Sequence, residues 1–260
     1  IFCRYGFKTG QAQFTVVSAW EDIPRKDELV DAILSSCPET VSVMLNVNKT
    51  YGNTVLAGEF ITLWGEDHIE DILMGLRFRL SPMSFYQINR DQAEKLYSIA
   101  LEYADLKKGD TAIDLYCGTG TITLCLAKSG AKVIGAEIVE DAVINARQNA
   151  EINGVSNASF ICADASMAAA ELEKSGVKPD VVVVDPPRKG LAPDVIETIS
   201  RMCPERVVYV SCDPSSLGRD IKIFREWGYE ISRGAAVDMF PRCAHVETVA
   251  LLKRKTEGAV

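Results

Sequence analysis

A chain of 260 residues, 47% of them hydrophobic, can bury the core of one large domain or of one domain with an appendage, and is too apolar to stay disordered. Its 28 basic residues against 36 acidic ones leave a net charge of −8, which excludes a generic polyanion binder; a nucleic-acid partner would need cations gathered locally or supplied by another domain. No apolar run is long enough to span a membrane and no signal peptide opens the chain.

The first residue is Ile1, and the opening Ile1-Phe2-Cys3 has no turn signal, so the start reads as a cut through something larger. From there to about residue 80 the pattern suggests a small α+β unit with an antiparallel sheet. Its strands are expected at Gln13–Ala19, Val41–Val47 and Asn53–Leu63, with a helix at Lys26–Ser36, and Arg77–Leu80 closes the region. Ser81-Pro82 marks a boundary, because a proline disfavours helix in the residue before it. Residues 81–260 then form the second domain. It begins with Phe85-Tyr86-Gln87, where aromatic packing is the plain reading and Gln87, just ahead of a helix, could point at a ligand. That helix runs over Arg90–Ala104, with Asn89 and Gln92 spaced as a capping box.

From Thr111 strands alternate with helices, the pattern of a parallel doubly wound sheet. Strands are expected at Thr111–Tyr116, Lys132–Ala136, Ala158–Cys162, Val181–Asp185 and Val207–Ser211. Helices are expected after Gly120, at Val139–Asn153 (stopped by Gly154), near Met167–Lys174, at Asp194–Met202 and at Pro214–Trp227. The last strands, Tyr229–Val237 and Glu247–Leu252, have no helix between them and must be antiparallel, since a parallel link needs a long crossover. A parallel sheet closed by an antiparallel hairpin is the methyltransferase version of this α/β fold.

The ligand site is expected at Tyr116-Cys117-Gly118-Thr119-Gly120. Here a strand meets a helix, and Gly118 and Gly120 allow positive φ and a close backbone approach. Glu137 ends the next strand, where an acidic residue grips ribose hydroxyls. Thr123 stands where a dinucleotide fingerprint has its third glycine, so a nucleoside-type cofactor such as S-adenosylmethionine fits better than a dinucleotide.

Two more constellations fall at strand ends. Asp185-Pro186-Pro187-Arg188 follows four valines, and the prolines stiffen a loop presenting the Asp185 carboxylate. Cys212 lies between a strand and a helix N-terminus, which lowers a thiol pKa. Cys125 and Cys162 read instead as small buried hydrophobes. Glu247, at the start of the final strand, could serve as a general base. The eight cysteines include no Cys-x-x-Cys pair, and only His68 and His245 could supplement them. Free thiols in a reducing cytoplasm and no metal site are therefore expected. A thiolate, a base and a methyl donor suit methylation at C5 of uracil, because thiolate addition at C6 makes C5 nucleophilic.

The motifs Phe-Tyr-Gln-Ile-Asn, Asp-Leu-Tyr-Cys-Gly-Thr-Gly-Thr, Asp-Pro-Pro-Arg-Lys-Gly-Leu, Val-Ser-Cys-Asp-Pro and Asp-Met-Phe-Pro-Arg-Cys-Ala-His-Val-Glu together resemble the RNA uridine-C5 methyltransferases. The resemblance is dense from Ser81 to about Arg254 and leans toward the ribosomal-RNA branch over the transfer-RNA branch. It implies Cys212 as nucleophile and Glu247 as base. It also implies S-adenosylmethionine bound by Gln87, Tyr116, Glu137 and Asp185, next to the Gly118 and Gly120 turn, and RNA met by Phe85; Arg188 on the Asp-Pro-Pro loop is expected to bind substrate as well. A monomer is expected, lacking the family's N-terminal oligonucleotide-binding barrel. Asp213 departs from the family's usual Asn, and a carboxylate there would raise the Cys212 pKa; Arg242-Cys243 replaces a usual His-Thr. Three rivals are an exocyclic-amine methyltransferase using the Asp-Pro-Pro loop, a non-catalytic RNA- or cofactor-binding module, and a nicotinamide dehydrogenase. The first wants an aromatic residue where Arg188 stands.

Overall fold

The computed structural model describes residues 1–51 and 54–255. It divides into two compact units, Ile1–Tyr86 and the rest from Gln87 onward.

In the first unit a four-stranded sheet has the order β1-β2-β3-β4, with β1 at Phe2–Tyr5, β2 at Ala12–Ser18, β3 at Thr40–Val47 and β4 at Glu59–Gly65. The sheet is mixed, which corrects the antiparallel expectation: β2 and β3 run parallel, Phe14 opposite Val43 and Val16 opposite Leu45. The cause is helix α1 (Lys26–Ser36), which supplies the long crossover that a parallel pair requires. Its Val30 and Ile33 bury against Val43, with Phe14 and Val16 packed alongside. The strand expected from Asn53 starts only at Glu59, and Asn53 itself lies outside the described residues. A separate hairpin pairs β5 (Ile69–Leu73) with β6 (Leu76–Leu80) through Met74 and Gly75, both at positive φ, as a two-residue hairpin turn demands.

The second unit is a seven-stranded sheet in the order β12-β13-β11-β10-β7-β8-β9. The strands are β7 (Thr111–Leu115), β8 (Lys132–Glu137), β9 (Ala158–Cys162), β10 (Val181–Val184), β11 (Arg206–Ser211), β12 (Tyr229–Val237) and β13 (Glu247–Arg254). β7 to β11 are mutually parallel; β13 enters antiparallel between β11 and β12. Helices α2 (Arg90–Ala104), α3 (Thr121–Ala127) and α4 (Glu140–Ile152) cover one face; α5 (Ala165–Lys174), α6 (Pro193–Met202) and α7 (Pro214–Glu226) cover the other.

With both faces covered, the central strands read as unbroken apolar runs, and Val181 to Val184 are fully buried. Ile113, Leu115, Val182, Val184, Tyr209, Ala250 and Leu252 point into the core under α5–α7. Strand alternation therefore turns Asp114, Asp185, Cys212 and Glu247 toward the face that carries α2 and α3. Chain order reverses between β10 and β7, the switch point at which open α/β sheets open a crevice at the carboxyl ends of the strands.

Candidate active site

Leu115 of β7 pairs with Val184 of β10 and with Ala136 of β8, and Val184 pairs with Tyr209 of β11. This register brings Tyr116, Glu137, Asp185 and Cys212 out at one edge of the sheet. Ser211 faces Thr248 across the antiparallel β11–β13 ladder, so one residue further Cys212 comes level with Glu247. A strand entering the sheet backwards thus delivers its first residue to the edge where its neighbours end.

The Tyr116–Gly120 loop is shaped by backbone. Tyr116 has φ 70°, left-handed for a residue with a side chain, and is held there because its N–H and that of Cys117 both donate to the Ala136 carbonyl, at 2.9 and 3.0 Å. A Cβ on Gly118 would meet nothing within 4 Å, so this glycine faces open space. A Cβ on Gly120 would lie 3.1 Å from Ala146 and 3.3 Å from Phe160, so that glycine serves close packing of the turn against its neighbours. Glu137 accepts the Gly118 N–H at 3.1 Å through one oxygen, and those of Ile138 and Val139 through the other. A carboxylate has about four acceptor sites, so Glu137 is fixed in place with capacity left for a hydroxyl.

Carboxyls crowd the edge. Asp114, missed by sequence reasoning, is fully buried; one oxygen accepts the Thr123 hydroxyl at 2.6 Å and the other has no partner. Burial pushes its pKa up to about 7. Asp185 rises to about 8, through burial first and then the negative fields of Glu247 and Asp114. Glu247 is 6% exposed and also raised by burial, with Arg188 pulling the other way. Like charges held close in a poorly solvated site resist ionisation, and a cation brought beside them relieves that. Asp164 also reaches this edge, capping α5 through the Ser166 and Met167 N–H groups; the only sequence signal for it was an acidic residue between strand and helix.

The Cys212 thiol is half-buried and its pKa is raised, not lowered as the adjoining helix N-terminus suggested. Burial is the main cause, followed by Glu247 and Asp185; Arg188 acts downward. Asp213 is not among the groups raising it. Its Oδ1 caps α7, accepting from Ser215 and Ser216 at 2.8 and 3.0 Å, which holds its own carboxyl below the usual range. Cys125 is buried as expected, but Cys162 is exposed, because β9 is the sheet's edge strand. Arg188 is exposed, on a turn closed by the Gly190 N–H donating to the Pro187 carbonyl at 2.8 Å. Gln87 is buried ahead of α2, where Asn89 accepts the Gln92 N–H and donates to the Met239 carbonyl at 3.1 Å. Phe85 belongs to the first unit and is 73% exposed.

Among the described residues the one cluster of metal-type ligands is Glu66, Asp67 and His68, consecutive and mostly exposed in the first unit. No described helix is long and apolar enough to cross a membrane.

Strand order, terminal hairpin and glycine turn define the class I methyltransferase fold, Rossmann-like with its last strand inserted antiparallel. The family model described as tRNA (uracil-5-)-methyltransferase matches residues 63–255, and the chain belongs to that family. An uncharacterized RNA methyltransferase of Clostridium tetani is 44% identical over 252 residues, 97% of this chain and 55% of that protein. One from Clostridium acetobutylicum is 44% identical over 254 residues, with 98% and 55% covered. The crystal structure of a Pyrococcus abyssi tRNA (uracil-54, C5)-methyltransferase in complex with S-adenosyl-L-homocysteine superposes with a TM-score of 0.79 at 32% identity. It covers 96% of this chain and 58% of the archaeal one. The chain spans slightly over half the length of the curated relatives it matches.

Proposed function

We propose that the chain is the catalytic part of an S-adenosylmethionine-dependent enzyme that methylates C5 of a uridine in RNA. The observation that carries this reading is the register that sets Cys212 level with Glu247 at the sheet edge, beside Asp185. The cofactor suits the residues present: Gly118 opens onto free space, Glu137 keeps acceptor capacity, and Asp185 and Asp114 lack a cation. Tyr116, Gly118, Gly120, Glu137, Asp185 and Gln87 would hold it. When bound it supplies an electrophilic methyl group.

The chain's own groups do the rest. Cys212, as thiolate, adds to C6 of the uracil; the ring π pair moves onto O4 and makes C5 a nucleophile. Once C5 carries the methyl group, the Glu247 carboxylate removes the C5 proton, the C5–C6 double bond re-forms and the thiolate leaves. Burial suits Glu247 to that task, since a base with a raised pKa holds the proton better at neutral pH. Arg188 and Phe85 are assigned to the RNA side, where a uridine must be flipped out of its stack.

Ribosomal RNA is the substrate the motifs favour. The family description and the archaeal relative favour transfer RNA as a second reading. The test is incubation with 5-fluorouridine-containing ribosomal and transfer RNA fragments plus S-adenosylmethionine. A denaturant-stable protein–RNA adduct through Cys212 is expected with one of them. Methylation that survives Cys212→Ala would overturn the reading in favour of the exocyclic-amine rival.

A further inference from the structure

Asp220, on α7, is fully buried, and the chemistry above makes no use of it. A buried carboxylate is costly unless it is paired and fully hydrogen-bonded. Asp220 is both. Oδ2 accepts the Tyr209 hydroxyl at 2.7 Å and the Leu191 N–H at 2.8 Å, and Oδ1 accepts the Arg219 Nε–H at 2.8 Å. Arg219 also donates from Nη2 to the Lys189 carbonyl at 2.8 Å and to that of Leu191 at 3.3 Å.

Every partner except Tyr209 and the Asp220–Arg219 pair itself lies on one short segment, Lys189 to Leu191, which ends the Asp-Pro-Pro-Arg-Lys-Gly-Leu motif. Gly190 sits between them at φ 74°, where a Cβ would fall 2.5 Å from Asp220 Oδ2 and 2.7 Å from Arg219 Nη2. The glycine thus allows backbone and ion pair to meet. The segment closes the Pro187–Gly190 turn that carries Arg188, and Arg188 is the cation whose field reaches Cys212, Glu247 and Asp213.

We infer that Asp220 is a positioning residue: with Arg219 it clamps the turn so that the Arg188 guanidinium is held where it supports the Cys212 thiolate and the neighbouring carboxylates. This rests on the proposed function for its importance in turnover, but the clamp can be read without RNA or cofactor.

The experiment follows iodoacetamide alkylation of Cys212 against pH by peptide mass spectrometry, in the intact chain and in Asp220→Asn, Arg188→Ala and the double variant. Arg188→Ala removes a field that stabilises the thiolate, so the midpoint rises and alkylation at pH 7 slows roughly threefold, equivalent to about half a pH unit. Asp220→Asn is expected to move the midpoint the same way, and the double variant no further than Arg188→Ala alone. Independent, additive shifts, or an unmoved midpoint in Asp220→Asn, would overturn the inference. If Asp220→Asn does not fold, Arg219→Ala takes its place in the cycle; its side chain is 53% exposed, and the same non-additivity is required. If Cys212→Ala retained methylation while the cycle stayed non-additive, the proposed function would fall and the clamp would stand.

Discussion

The two edges of the seven-stranded sheet treat charge differently. Where the parallel strands begin, Asp180 accepts the Thr111 N–H at 2.8 Å, Asp110 accepts that of Lys107 at 2.9 Å, and Arg206 reaches Asp105 and Glu205 at 3.6 and 3.5 Å. Acids there cap strands and pair with a base. Where the same strands end, Asp114 has an oxygen without a partner, Asp185 feels Glu247 and Asp114, and the main nearby cation is an exposed arginine on a turn. One edge is arranged for stability. The other gathers carboxyls at close quarters, where burial keeps protons on Asp114 and Asp185, an arrangement that clusters at functional sites.

The sharpest way to break this contrast is to remove the reacting groups. Cys212→Ala is expected to lower methylation by 10³-fold or more, on the order seen when a nucleophile is deleted. Glu247→Gln should cost about 10²- to 10⁴-fold and accumulate the covalent RNA adduct, because the step it blocks is the one that frees the cysteine. A Glu247→Gln protein that turns over without trapping adduct would reassign the base.

Next in size is stability. The folded pKa values of Asp114 and Asp185, about 7 and about 8, lie above the ordinary carboxyl value, so the folded state keeps protons that the unfolded chain releases. Stability from these groups is complete below about pH 4 and falls as pH rises through 7 and 8. Asp114→Asn is therefore expected to stabilise the fold at pH 8 by roughly 2–4 kcal/mol in urea unfolding, and to lose that advantage at pH 4. Asp185→Asn should follow the same course with a smaller gain, since the residue is partly exposed. At the opposite edge the sign reverses: Asp180→Ala leaves the Thr111 N–H without its acceptor and should cost about 1 kcal/mol. Equal effects at both edges would erase the distinction.

The smallest effect concerns the thiol. Glu247→Gln removes a negative field that opposes ionisation of Cys212, so the alkylation midpoint should fall, opposite to the shift expected for Arg188→Ala. Unmoved midpoints in both variants would show that burial alone governs the thiol.

Most of the second unit was legible in the sequence because its rules are local. The valine run at Val181–Val184, the glycine turn and the absence of a helix between β12 and β13 each dictated an element or a pairing direction. The candidate site was legible for the same reason: its residues stand next to strand ends. Asp114 was not, since its importance depends on what α3 places against it across the sheet, and nothing in Thr-Ala-Ile-Asp-Leu reveals a buried oxygen without a donor. The direction of the Cys212 shift needed tertiary knowledge too, because Glu247 is 35 positions away in sequence and level with it in space. In the first unit the helix between β2 and β3 is the crossover a parallel pair needs, so an antiparallel sheet conflicts with the helix that the same stretch spells out. Strands β1 and β5 alternate too weakly in polarity to announce themselves.

Strand β13 is the last of the described strands in sequence yet interior in space, flanked by β11 and β12. Until residues 247–254 are available, the two strands that flank it have no backbone partner for those sides, and the thiol has no acid beside it. During synthesis the assembly of the reactive edge must therefore wait for the final stretch of the sheet. A nonsense codon before Glu247 should yield an aggregation-prone species with an open ladder, rather than a slower enzyme.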